Sequence, residues 1–183
     1  MAPAITSAGR DESVATLEER VRRLEDRAEL QDLAAAYFRA VDDDDYDAVA
    51  ACFTTDARFV ASGFEGDAGR DAVIAFLKSA RSGMGQTVHT PNYVQIEFGS
   101  AGEATGLVGA HVELGLGDKT YFGAVRYVDS YRREDGRWRI ATREMRVIHI
   151  APWSEVEGSL VSGRNVRWPG ADPLPSDYPR KYG

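Results

Sequence analysis

Three histidines, a run of four aspartates and one arginine in an apolar strand are the residues of this 183-residue chain best placed to do chemistry. His89, in "GQTVHTPNY", stands where a glycine-containing loop enters a strand. Histidine is the side chain best suited to general-base work near neutral pH, and a carboxylate beside it fixes its tautomer and stabilises its charged form. The candidate carboxylates are Asp42 to Asp45, which follow "YFRAV" at the end of an apolar helical pattern. At about 100° per residue, Tyr37 and Val41 lie near the centre of the apolar stripe and Asp42 on its flank. Continuing the helix would bring Asp45 nearer the stripe, although a helix cap is an adequate task for Asp45. Spacing alone therefore leaves the choice among the four open, and Asp43 to Asp45 read as solvated or capping.

His111, in "GAHVELG", and His149, in "RVIHIAP", also fall in predicted strands, so the three histidines meet if they share a concave face. Arg143 shares strand parity with Ala141, Met145, Val147 and His149, a register that turns its guanidinium inward. A buried arginine requires an anionic partner, either an internal Asp or Glu or a substrate anion or departing group. The histidines lack HxH or HExxH spacing, so a metal site is weakly supported and no cofactor is expected. The single cysteine, Cys52, sits in "AVAACF" and reads as core packing.

The elements that must position these residues come in two blocks. Apolar residues at Val14, Leu17, Val21, Leu24, then Leu30, Leu33, Ala34, Tyr37, Phe38 and Val41 follow helical spacing. The first half has a narrow stripe suited to a partner subunit or its own domain; the second half has a broader stripe suited to a core. Asp44 or Asp45 is placed to cap a short helix through "YDAVAACF", and "GRDAVIAFLKSAR" predicts a third helix, with a short strand at "ARFVAS" between them. After residue 85 come long strands separated by turns at "GSAGE", "GLGDK" and "REDG". In "TPNYVQIEF", Asn92, Val94, Ile96 and Phe98 alternate with Tyr93, Gln95 and Glu97. Three N-terminal helices followed by antiparallel strands predict an α+β fold, with the helices packed on one face of a curved sheet and a small-molecule pocket between them. Residues 1–12 read as a flexible tail, 13–150 as the domain, and 151–183 as an extended tail holding five of the seven prolines, packed on the domain or a neighbouring subunit.

A net charge of -7 and a pI near 5.0 argue against nucleic acid or an anionic membrane as partner. The N-terminal stretch lacks an apolar signal core and no segment approaches the ~20 apolar residues of a membrane span, so a cytoplasmic protein is expected.

In order, "LQDLAAAYFRAVDDDDYDAVAACFTTDARF", "GRDAVIAFL", "VHTPN" and "YRREDGRWRIATR" resemble the SnoaL-like branch of the nuclear transport factor 2-like superfamily, over roughly residues 28 to 150. The resemblance implies a cone-shaped α+β barrel with a pocket between helices and sheet. It also implies that Asp42 and His89 match the Asp-His dyad of the hexachlorocyclohexane dehydrochlorinase and bile-acid 7α-dehydratase groups. Tyr37 matches an active-site tyrosine of the bile-acid enzymes, and Arg143 an active-site arginine of the dehydrochlorinases. His111 falls near a second histidine of the scytalone dehydratases. Because the chain mixes features of three groups, the substrate does not transfer. The expected activity is cofactor-free elimination of water from a small, apolar, hydroxylated cyclic molecule in a homodimer or homotrimer. Isomerisation, cyclisation, dehydrohalogenation and a non-catalytic ligand-binding or dimerisation module are the alternatives.

Overall fold

The computed structural model describes residues 16–61 and 64–178; the expected flexible segment at 1–12 lies outside them. Helix α1 runs Leu17–Asp42, α2 Tyr46–Ala51 and α3 Arg70–Arg81. The strands are β1 Phe53–Ala61, β2 Phe64–Glu65, β3 Met84–Phe98, β4 Glu103–Leu116, β5 Lys119–Glu134 and β6 Arg137–Pro152. Helix α1 starts at a capping box: the Thr16 hydroxyl accepts from Glu19 N–H, and the Glu19 carboxylate accepts from Thr16 N–H. The aspartate run divides its labour. Asp42 is the last residue of α1, Asp43 its C-cap, Asp44 turns the chain at φ 53°, and the Asp45 side chain caps α2 through Ala48 N–H. A short polar residue tolerates the left-handed conformation that the turn needs.

The sheet has the order β2-β1-β6-β5-β4-β3, antiparallel except where β1 lies parallel to β6. Its concave face carries Val108, Ala110 and Val112 of β4 and Val125, Tyr127 and Tyr131 of β5, all buried. Against them pack Leu30, Ala34, Tyr37, Phe38 and Val41 of α1, with Phe53 and Val73 completing the core. Burial of this apolar surface is the main favourable term of the fold. Polar ties fix the angle of α1 as it crosses the sheet: Arg133 pairs with Asp26, and the Glu29 carboxylate accepts from Trp138 N–H at 2.9 Å.

Of the register shifts in the sheet, three bulges decide which way Asn92, Arg143 and His149 face. Each inserts one residue and reverses the alternation beyond it. In β3 the extra residue is Asn92, between the pairs Pro91↔Ala110 and Tyr93↔Gly109. In β6 the extra residues are Ala141 and Ile148. Where β1 leaves the edge of β6, the C-terminal segment takes its place. Ile150 exchanges backbone hydrogen bonds with Asn165 and Arg167, and Asp177 N–H donates to Val147. Val166 of this segment is buried in the core. No described helix is long and apolar enough to cross a membrane.

Candidate active site

The end of α1 meets the start of β3 at Asp42 and His89. Asp42 Oδ1 lies 2.6 Å from His89 Nδ1, and Asp42 Oδ2 accepts the His89 backbone N–H at 2.8 Å. The Thr87 hydroxyl donates to Asp42 Oδ1 at 2.8 Å, and Arg81 of α3 donates to Thr87 Oγ1 at 3.1 Å. Arg81 also pairs with Asp44 at 2.8 Å. Asp44 is thus more than a solvated helix end: it holds the arginine that orients the threonine beside Asp42. Burial is the largest single influence on the Asp42 carboxyl and raises its pKa. The hydrogen bonds and charge of His89, with the hydrogen bond of Thr87, together outweigh it and hold the pKa below the ordinary 3.8. Asp42 is therefore ionised at neutral pH. An ionised carboxylate accepts only, so His89 Nδ1 carries the proton and Nε2 is the nitrogen left to receive one.

The His89 ring stacks on Phe38, centroids 5.3 Å apart and planes at 11°. These residues line an open cavity of about 540 Å³ with Ala35, Arg39, Asp43 and Gln86. A larger cavity, about 690 Å³, lies elsewhere, between the first half of α1 and Arg133 and Trp138.

Behind Phe38 lies a second charged group. Arg143 is fully buried, and both its Nε and Nη2 donate to the Asp129 carboxylate, at 2.9 and 2.7 Å. The Tyr131 hydroxyl donates to the same carboxylate at 2.6 Å. The guanidinium carbon sits 4.1 Å from the Tyr37 ring centroid, 4.8 Å from that of Tyr127 and 5.9 Å from that of Phe38. Burial acts most strongly on Arg143 and disfavours its charge, but Asp129 more than compensates, so its pKa is raised. Burial also raises the hydroxyls of Tyr37, Tyr127 and Tyr131, so all three are neutral donors. Arg143 Nη1 is buried and has no hydrogen-bond partner.

The five candidates from the sequence therefore divide. Asp42 and His89 touch; Tyr37 and Arg143 touch each other one ring behind them. His111 stands apart. It pairs with Thr90 and Ala124, and its ring stacks on Phe122 on the convex face, 5.5 Å away, while Asn92 bonds its Nδ1. His149 also pairs with Ala124. The expectation that the histidines share the concave face is thus corrected. Parity holds through Arg143, Met145 and Val147, and the bulge at Ile148 then sends His149 outward. Likewise the bulge at Asn92 removes that residue from the row of Val94, Ile96 and Phe98. Thr87, Arg81, Asp129 and Phe38 were missed in the sequence. Asp129 alone had a signal there, as a charge in the inward register of "GAVRYVDSY". Among the described residues no three His, Cys, Asp or Glu side chains converge as metal ligands.

A curled sheet covered by helices, with the Asp42 carboxylate bonded to His89 where α1 meets β3, describes an α+β cone. The chain belongs to the SnoaL-like domain family, whose sequence model matches residues 22–144. No curated protein sequence matches it. Among solved structures, the fold is shared with LinA at 23% identity and a TM-score of 0.70, over 75% of this chain and 95% of that one. A hexachlorocyclohexane dehydrochlorinase (LinA) type 2 matches at 22% and 0.69, over 83% and 99%. A scytalone dehydratase-like protein from Novosphingobium aromaticivorans DSM 12444 matches at 20% and 0.68, over 84% and 99%.

Proposed function

We propose that the protein is a cofactor-independent carbon–oxygen lyase that eliminates water from a small, apolar, hydroxylated cyclic molecule. The observation that carries this reading is the Asp42–His89 pair, with Nδ1 held at 2.6 Å and the ring beside an open cavity. His89 Nε2 takes a proton from carbon, the electron pair of that C–H bond becomes the new C=C bond, and the neighbouring C–O bond breaks. The departing hydroxyl leaves as water with the Tyr37 phenol proton, while Arg143 donates a hydrogen bond to the same oxygen and stays charged. The proton held on His89 returns to Tyr37 through solvent to close the cycle. A positioned base contributes ~10²- to 10⁴-fold, and fixed donors aimed at the departing oxygen supply much of the rest. His111 has no part in these steps, since it lies on the other side of the sheet.

The Phe38 ring fills the space between His89 and Arg143. A substrate ring bridging the two takes its place, and Phe38 swings into the cavity it already lines. The relatives named above as dehydrochlorinase and dehydratase-like support an elimination. The exposed Leu17, Val21 and Leu24 on α1 support assembly as a homodimer or homotrimer, which light scattering would measure.

The test is mass spectrometry of metabolite extracts incubated with wild type and with His89→Ala. Loss of the mass of water from one compound, with wild type only, supports the lyase and identifies its substrate. A new isomer of unchanged mass replaces it with an isomerase or cyclase, and loss of hydrogen halide with a dehydrohalogenase. Identical profiles favour a binding module.

A further inference from the structure

Arg143 invites a reading as the receptor for an anion, yet its surroundings argue otherwise. Its charge is already matched by Asp129, which is itself buried and receives two bonds from the guanidinium and one from Tyr131. The faces of the guanidinium are covered by the Tyr37 and Tyr127 rings, whose π faces are negative. Of its three nitrogens only Nη1, which is buried, makes no hydrogen bond. Buried N–H groups are nearly always bonded, and an orphan on a charged group leaves a place that a ligand atom can complete.

From this we infer that Asp129, seated by Tyr131, is the specificity-determining counter-ion of the site: it reserves Arg143 Nη1 for an uncharged oxygen of the substrate, a hydroxyl or carbonyl, and excludes a halide or carboxylate. The inference rests on the lyase reading and narrows its substrate class. A neutral oxygen on Nη1 gains a charge-assisted hydrogen bond and leaves the buried group with no net charge. An anion in the same place meets the Asp129 carboxylate across the guanidinium, and the three charges together bury one uncompensated negative charge. Asp129 is therefore a positioning and selecting residue: it acts through Arg143.

The experiment soaks crystals of wild type and of Asp129→Asn separately in sodium bromide and in cyclohexanone. Bromide is located by its anomalous signal and the ketone by its electron density. In wild type the ketone oxygen is expected on Arg143 Nη1, with no bromide there. In Asp129→Asn bromide is expected at the guanidinium, with at least a tenfold gain in affinity on titrating the soak. Bromide at Nη1 in wild type overturns the assignment, and so does an Asp129→Asn variant that excludes bromide as well as wild type does. Should that variant fail to fold, the two wild-type soaks decide alone. His89→Ala separates this inference from the lyase reading. It abolishes turnover if His89 is the base, and it leaves both occupancies at Arg143 unchanged if Asp129 is the selector.

Discussion

Replacing Asp42 with asparagine removes a charge with almost no change of shape, and the hydrogen bonds around the side chain determine how the dyad responds. The Asp42 carboxylate accepts from His89 Nδ1 and Thr87 on one oxygen and from the His89 backbone N–H on the other. An amide has one acceptor and one donor end. With its oxygen toward Nδ1 and Thr87, its NH₂ meets the His89 backbone N–H, donor against donor. Turned over, the oxygen accepts the backbone N–H, and the NH₂ must donate to His89 Nδ1, which can accept only after its proton moves to Nε2. The satisfiable arrangement thus protonates the nitrogen that has to act as base. The loss of a hydrogen bond to a charged group costs stability by about 1.5–3 kcal/mol. Loss of the base costs ~10²- to 10⁴-fold in kcat, equivalent to ~3–5 kcal/mol in the barrier. Long-range ¹H–¹⁵N correlation spectra of histidine-labelled protein report the tautomer, and turnover of the substrate found by mass spectrometry reports kcat. A folded Asp42→Asn variant that keeps the Nδ1 proton, or that turns over within tenfold of wild type, would refute this reasoning.

Phe38→Ala opens the space between His89 and Arg143; it is expected to lower stability by ~3–5 kcal/mol, as for other buried phenylalanines, while widening the range of ring sizes accepted. Denaturant titration and a panel of cyclic alcohols measure the two effects, and an unchanged panel contradicts the idea that a substrate displaces this ring. Burial first, and His111 second, hold the His149 pKa below its ordinary 6.5. The unfolded chain therefore binds a proton that the native state resists, so stability is full above pH 6.5 and falls as pH drops from there toward the native pKa. Melting temperatures between pH 8 and pH 5 should show this loss in wild type and less of it in His149→Gln. A methyl group on Gly106 would come 2.6 Å from the Tyr131 ring and 3.2 Å from the Gln95 carbonyl, whereas the atoms nearest to one on Gly109 all belong to the half-exposed Tyr93 ring. Gly106→Ala should therefore disturb the Tyr131–Asp129 bond and destabilise the protein, and Gly109→Ala should be tolerated, as thermal melts of the two would show.

Several parts of this protein were settled by local sequence. The apolar period of 3.6 from Leu30 to Val41 and the glycine turns between the long strands need only nearest-neighbour physics, and they specify helix-then-sheet order. The residue types of a base and its carboxylate were equally visible, and the ordered resemblance picked out Asp42 and His89 from among the alternatives. Which aspartate bonds the histidine was beyond helical periodicity, because it depends on where α1 ends relative to β3, 47 residues on. Tertiary structure alone decided the facing of the histidines and the partner of Arg143. A bulge is one extra residue that leaves no pattern in composition, yet it reverses every side chain beyond it. Ile148 thereby sends His149 outward, and Ala141 lets Ile140 and Arg143 both face in. Asp129 stands opposite Arg143 only because that shifted register pairs them across two strands. Strand alternation is local, but register is set by which strands meet, and so the charge balance at the heart of the site belongs to the fold rather than to any single segment of the chain.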